Sequence, residues 1–445
     1  MSRFDFGTII CGGGPAGLGP VVAAGVTAQL RGLLAEGVRV IERTRRLGAG
    51  ALGRYEIGSN SLGRAFLECL DGDDVGFLDA ARRSEAAAEL RRQQDRYPPL
   101  ATIAAFMEQI GEAVRCLLDA EPGCEVSLGA EVDEVRLLPG GGAVVTSSHP
   151  APGGRRRERS TARNVVVACG GARRRDPASL RLSPQIGLRR WSGKTVHAAA
   201  LIDRDAPIRD DLCEAVQRQG LAVIVGSSHS AWSCASRIVS DPGLQARIGR
   251  PRVCMVERRP PRLAYMSVEE ARADDYGFDP EADVCPLSGR VYRFSGLRGD
   301  AFQLARRTRF ATGPVEGLSH LRVDETAAVG EALASAGLVI SAVGFDACLP
   351  RLLDVDGKPL RLLRSGGGPV VSDRAELLDI ERRPVPSLIA YGLGSGLRPS
   401  PQIGGEPSFR GRLDGVWLYQ HDLGRIVLDR MLAPAAVPGG SFDGG

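Results

Sequence analysis

The apolar positions of this chain fall in short unbroken runs, and the same layout of runs occurs twice. "TIIC" (8–11) leads into "GGGPAGLGPVVAAG", and "LAVIV" (221–225) leads into "GSSHSAWSCASRIV". A run of four or five apolar residues without polar alternation predicts a strand buried on both faces, as in a parallel sheet. The small residues behind each turn predict a helix packed close to that strand. A second apolar run ending in an acid follows each unit: "GVRVIER" (37–43) and "RVCMVERR" (252–259). "NVVVACGG" (164–171), "LVISAVGF" (338–345) and "VPSLIAYGLGSG" (385–396) predict strands that end in glycine, and "CEVSLGAEVDEVRLL" (124–138) predicts strands leading up to the first of them. "HPAPGGRRRERSTAR" (149–163) reads as a polar hairpin tip or loop, and an amphipathic helix is expected from about Leu413.

The two turns carry the candidate chemistry. Gly12-x-Gly14-Pro15-Ala16-Gly17 has the spacing of a dinucleotide loop. Gly12 permits the tight turn, Gly14 lets the backbone approach a pyrophosphate, and Gly17 lets the helix lie close to the strand, with free N–H groups at the helix start facing the phosphates. Glu42, with Arg43 beside it, stands where an acid binds ribose hydroxyls, although the gap from the glycines is longer than usual. The second turn reads Gly226-Ser227-Ser228-His229-Ser230-Ala231, with Ser228 in place of the middle glycine. There a side chain occupies the position of close backbone approach, and its hydroxyl is able to donate to a phosphate. Glu257 at the next strand end suits NADH, whereas Arg258 and Arg259 suit the 2′-phosphate of NADPH.

Composition narrows the class. The chain has 445 residues, enough for two or three domains, and a net charge of +4. Its basic residues are almost all arginine, only Lys194 and Lys358 being lysine, so its arginine-rich stretches read as solvated loops and give no case for a nucleic-acid partner. No apolar run approaches the roughly 20 residues needed to cross a bilayer, and the first residues lack the layout of a signal peptide, so a cytoplasmic protein without a membrane partner is expected. Ten cysteines occur without a C-x-x-C pair, which argues against a redox dithiol or a zinc site; no metal is expected.

The order of these motifs resembles the class B flavin-dependent monooxygenases, and within them the lysine and ornithine N-hydroxylases. "NVVVACGG" is similar to the strand that follows the adenine-binding segment in two-dinucleotide flavoproteins, "VPSLIAYGLGSG" to the strand whose end lies over the flavin, and "LVISAVGF" to the strand closing the nicotinamide domain. "WSGKTVHAAAL" (191–201), with Trp191, Gly193 and His197, resembles the family's aromatic-Gly-His linker between cofactor domains, so His197 is expected to be a hydrogen-bonded linker residue rather than an acid or base. Ser59-Asn60-Ser61 resembles the segment beside the reactive flavin edge. Asn60 is thereby a candidate catalytic residue, or else caps the following helix.

The resemblance implies an α/β fold of two Rossmann-like domains: a FAD domain (1–205 and 346–445, its C-terminal helix near the flavin) interrupted by an NAD(P)H domain (206–345). It assigns FAD to Gly12, Gly14, Pro15, Ala16, Gly17, Glu42, Arg43, Ser61, Val132 (beside adenine), Cys169, Gly170, Gly392, Leu393 and Gly394. NADPH, with NADH as an alternative, falls to the second turn, Arg258, Arg259 and Gly344. It further implies a small-molecule substrate and molecular oxygen, with one oxygen atom passing to nitrogen or sulfur through a C4a-(hydro)peroxyflavin in bacterial specialised metabolism. Gln402, Glu406 and Arg410 are substrate candidates, Glu406 for an amine and Arg410 for a carboxylate, although both of these read more readily as surface residues. A flavin dehydrogenase or oxidase, or a non-catalytic flavoprotein partner, remains open, as does a homo-oligomer.

Overall fold

A computed structural model describes residues 4–172, 176–205, 207–310, 317–393 and 395–433. In chain order its strands are β1 (Phe6–Cys11), β2 (Val38–Glu42), β3 (Glu125–Leu128), β4 (Glu131–Leu137), β5 (Ala143–Ala151), β6 (Gly154–Val167), β7 (Gly171–Ala172), β8 (Thr195–His197), β9 (Leu221–Val225), β10 (Arg252–Glu257), β11 (Leu318–Arg322), β12 (Leu338–Ser341), β13 (Asp346–Ala347), β14 (Arg351–Leu353), β15 (Arg364–Ser365), β16 (Gly368–Pro369), β17 (Glu376–Leu378) and β18 (Pro384–Ala390).

Two sheets organise the molecule. In the first, β3, β2, β1, β6 and β18 run parallel, and β6 continues into an antiparallel meander with β5 and β4. The long β6 is the junction: its charged first part pairs with β5, and Val165–Val167 pair with both β1 and β18. The apolar run "NVVV" is the part buried on both faces, which is why it lacks alternation. The helix Pro15–Val26 lies on this sheet with Ala16 to Gly25 all buried, clamped from outside by the helices Val416–Gln420 and Asp422–Leu432. A Cβ on Gly19 would overlap the carbonyl of Tyr419, so the close approach of these helices depends on that glycine.

The second sheet is all parallel, in the order β11-β10-β9-β12-β8. It contains β8, the strand formed by the linker motif, so this unit begins before Thr195 rather than near residue 206 as the sequence suggests. The strand is only three residues long and its partner lies some 140 residues later, which hides it from local pattern reading. Where the chain leaves the first sheet and where it returns, β7 and β13 pair antiparallel, and Cys348 N–H bonds the Gly170 carbonyl at 2.9 Å. The second unit is thus an insertion whose two connections are tied side by side. All ten cysteines are free thiols. No helix among the described residues is long and apolar enough to cross a membrane.

Candidate active site

The first turn is held from three sides. Gly12, at φ +106°, donates its N–H to Ile41, and a Cβ there would lie 2.5 Å from the Ala168 carbonyl oxygen. A Cβ on Gly17 would overlap the Gly12 carbonyl, so helix and turn touch backbone to backbone. The Gly13 N–H donates to Glu42 Oε2 at 2.7 Å, and Thr44 N–H to Glu42 Oε1 at 2.8 Å. The acid is buried at the mouth of the turn with lone pairs to spare, since a carboxylate has about four acceptor positions. Above Gly14 an added Cβ would meet only the Gly50 backbone, at an ordinary contact distance of 3.5 Å to its Cα. That glycine-lined start of the helix fits a pyrophosphate.

Several of the other residues assigned to this cofactor lie near the turn. Cys169 follows Ala168 and lies against Gly12; burial pushes its thiol up to about 12. Gly170 is open on its side-chain face, Gly392 approaches Ala16, and Leu393 packs on Gly171. Gly129 and Ala130 bond back to Thr44 and Glu42, which brings the start of β4 and Val132 to the acid side. Arg43 is exposed and Ser61 half-buried. Gly394 lies outside the described residues.

The second turn repeats the backbone of the first. Gly226, at φ +134°, donates to Val256, and its Cβ would lie 2.6 Å from the Ala342 carbonyl oxygen. Ser228 is extended, exposed and leads the helix His229–Ser240 without a side-chain cap. Ser227 and Ser230 are half-buried beside it, and Gly344, at φ +88°, has an open side-chain face. Glu257 is buried, with Oε1 3.6 Å from His320 Nδ1 and Oε2 without a hydrogen-bond partner. Arg258 and Arg259 are exposed.

His229, the first residue of that helix, faces the cavity between the two units. Its Nε2 accepts the Arg298 N–H at 3.0 Å, and burial, aided by the Arg298 charge, pulls its pKa down to about 4. The ring is therefore neutral at pH 7 and links the second turn to the segment 293–301. In the linker, His197 Nδ1 accepts the Ala199 N–H at 3.1 Å and its ring packs on Phe345, as expected of a linker residue.

Between the two units lies a cavity of about 400 Å³. Tyr55 to Ser59, Tyr97 and Pro99 form one wall; His229, Ser233, Arg237, Arg298 and Asp300 form the other. Ser59 faces it while the adjacent Asn60 is exposed. Arg237 is paired with Asp241 and with Glu56 at 2.8 Å. Arg298 is partly buried, and its guanidinium donates to the Arg293 carbonyl. Burial lowers its pKa from the ordinary arginine value, yet an arginine keeps its charge at neutral pH.

No family model matches the sequence. A CMP-5′-(3-aminopropyl)phosphonate hydroxylase from Streptomyces rubellomurinus is 40% identical over 443 residues, covering 96% of this chain and 98% of the relative. The chain belongs to the class B flavin-dependent monooxygenases. The fold agrees. The ornithine hydroxylase of Pseudomonas aeruginosa superposes with a TM-score of 0.55 at 15% identity, over 96% of this chain and 98% of that one. The FAD-bound cadaverine monooxygenase of Erwinia amylovora gives 0.56 at 13% identity, over 99% and 98%. The motif order of the family is thus carried by two sheets and an inserted domain, as the resemblance implied.

Three substrate candidates from the sequence stand elsewhere than this cavity. Glu406 is neither a surface residue nor a free ligand: it is 1% exposed, and its oxygens accept from Phe294 N–H, Ser295 N–H and the Ser295 hydroxyl. It fastens the loop after β18 to the segment 293–295. Gln402 and Arg410 are exposed, and Arg410 donates to the Pro407 carbonyl. Asn60 does not cap the next helix, whose N-cap is Leu62. Arg298 and Asp300, which do line the cavity, carry no motif of their own. Among the described residues no cluster of His, Cys, Asp or Glu could hold a metal.

Proposed function

We propose that the chain N-hydroxylates the primary amine of a nucleotide-linked aminoalkylphosphonate, in the cytoplasm, with FAD resident at the first turn, NADPH as reductant at the second, and molecular oxygen as co-substrate. The observation that carries this reading is the 40% identity, across nearly all of both chains, to a hydroxylase of CMP-5′-(3-aminopropyl)phosphonate. The balance is amine, oxygen, NADPH and a proton giving hydroxylamine, water and NADP⁺. Bound flavin supplies the transfer of one oxygen atom to the nucleophilic nitrogen.

The protein's part is to bind, orient and exclude water. The turn at Gly12–Gly17 and the start of its helix hold the pyrophosphate, and Glu42 offers its remaining lone pairs to ribose hydroxyls. The second turn presents the reductant from the inserted domain. The cavity between the units receives the substrate, with the Asp300 carboxylate in its wall as an acceptor for the amine end. His229 is neutral at pH 7, so it adds no positive charge to the wall that receives the amine.

The test is turnover of CMP-5′-(3-aminopropyl)phosphonate with NADPH in air, with product followed by mass. A gain of one oxygen atom matched to NADPH consumed supports the reading. NADPH consumed with only hydrogen peroxide formed, while free ornithine, lysine or cadaverine is hydroxylated instead, would reject the nucleotide substrate and keep the reaction class.

A further inference from the structure

We infer that Arg298 is the residue that recognises the substrate's anionic phosphorus group, donating its guanidinium fork to phosphonate or phosphate oxygens in the cavity between the two units. The inference rests on the proposed substrate class and goes beyond it by naming the group that reads the anion.

Three arginines line this cavity and they are in different states. Arg237 is engaged by Asp241 and Glu56. Arg204 is exposed and donates to the Gly53 carbonyl at 2.7 Å. Arg298 has one acceptor for its guanidinium, the Arg293 carbonyl, and no carboxylate at ion-pair distance among the described residues. Glu406, the acid in its electrostatic surroundings, has its oxygens engaged by Phe294 and Ser295. A partly buried cation without a counter-charge is costly, and an anion brought by a ligand removes that cost.

The arginine is also placed for the task. Its own N–H is held by His229 Nε2, so its backbone is fixed against the helix that follows the second turn. The guanidinium presents several N–H donors in a rigid plane, the geometry that matches two oxygens on one phosphorus. Asp300, two residues on, lines the same wall with the opposite charge. Arg298 and Asp300 together offer opposite charges to a substrate that carries an amine at one end and anionic phosphorus groups further along.

NADPH also carries phosphates, and its turn is adjacent, so the experiment must separate the two sources. Arg298→Ala and Arg298→Lys are made in the full chain loaded with FAD. KM for CMP-5′-(3-aminopropyl)phosphonate is measured beside the rate and half-saturation of flavin reduction by NADPH. For Arg298→Ala the substrate KM should rise at least about tenfold, with NADPH half-saturation and flavin content unchanged. For Arg298→Lys, which keeps the charge and loses the fork, a smaller rise of about threefold is expected. The lysine variant also carries the test if the alanine variant fails to fold. A substrate KM within about twofold of wild type in the variants, or an equal loss of NADPH affinity, overturns the inference. Wild-type turnover of the nucleotide decides the proposed function separately. If the wild type turns over only free amino acids, an unchanged KM for those in the variants overturns the role of Arg298 as well.

Discussion

At the first turn Gly12 donates to Ile41 and sits under the Ala168 carbonyl; at the second Gly226 donates to Val256 and sits under the Ala342 carbonyl. Residue for residue the backbone repeats, so Gly14 matches Ser228, Pro15 matches His229, Gly17 matches Ala231 and Glu42 matches Glu257. The side chains diverge from there. Glu42 closes onto Gly13 and holds the first turn in a binding shape, whereas Glu257 leans towards His320 and leaves one oxygen without a partner. Gly17 brings helix and turn into backbone contact, and the matching position of the second turn carries the methyl group of Ala231. The first turn suits a cofactor that stays; the second, with a side chain at the phosphate position, suits one that arrives, reacts and leaves.

The largest effect is expected where the first turn is most closed. Gly17→Val should give little soluble protein, because its Cβ would overlap the Gly12 carbonyl and the helix must move off the sheet. Gly14→Val is different. Its φ of −78° suits any residue and a Cβ there has room, so the chain should fold while the side chain fills the pyrophosphate cradle. Purified Gly14→Val should be monodisperse and colourless, with flavin occupancy below about a tenth of wild type. Full yellow occupancy in this variant would remove FAD from the first turn.

Much of this plan was legible in the sequence because it rests on local pattern. Unbroken apolar runs marked the parallel strands, and the glycine spacing with a following acid marked both turns. What stayed hidden depends on distant partners. Glu406 looked like a ligand or a surface acid, since nothing local shows that Phe294 and Ser295, more than 110 residues earlier, supply its hydrogen bonds. The three residues of β8 gave no strand signal, and only β12 assigns them to the second sheet. Arg298 belongs to no motif; its meaning comes from a cavity shared by two units, which no single segment encodes.

His229, the counterpart of Pro15, makes the comparison sensitive to pH. Its folded pKa of about 4 lies below the ordinary 6.5, because burial penalises the charged ring and the Arg298 charge adds to that penalty. The unfolded chain therefore binds this proton first as pH falls. The stability contribution is complete above pH 6.5, is lost progressively as pH falls from 6.5 to 4, and loses no more below that. His229→Gln, which can accept but does not titrate, should show a shallower fall of melting temperature across this window, by roughly 2–4 °C. Parallel curves for the two proteins would mean that the ring is not held neutral. The first turn, with proline here, has no such dependence.

Nucleotide choice at the second turn should respond by about tenfold. Glu257 is buried and inclined to His320, so its charge is withdrawn from an arriving 2′-phosphate, while Arg258 and Arg259 stand exposed after the strand end. NADPH should reduce the flavin at lower concentration than NADH. Arg258→Ala should weaken NADPH about tenfold, roughly the contribution of one charge-assisted hydrogen bond, and leave NADH and flavin content unaltered. Equal losses for both nucleotides would make Arg258 structural, and a wild type that prefers NADH would give the choice to Glu257.

The smallest effect tests whether the middle position alone separates the turns. Ser228 and Gly14 have nearly the same backbone, φ −90° and ψ 178° against φ −78° and ψ −171°, so Ser228→Gly changes the side chain and little else in the folded state. Two opposing forces act at that position. The hydroxyl occupies space next to the pyrophosphate, and it also offers the phosphate a donor. Ser228 is exposed and makes no capping bond to its own helix, so in the free protein its hydroxyl is hydrated and gains little by moving to a phosphate. Relief of crowding should therefore prevail, and NADPH should bind about threefold tighter in Ser228→Gly, less than 1 kcal/mol. Tighter binding should slow release of the oxidised coenzyme, and kcat should fall if that release limits turnover. Stopped-flow reduction at several NADPH concentrations reads the first effect and steady-state kcat the second. If Ser228→Gly binds NADPH more weakly, the hydroxyl is a phosphate ligand, and the second turn is a specialised site rather than a loosened copy of the first.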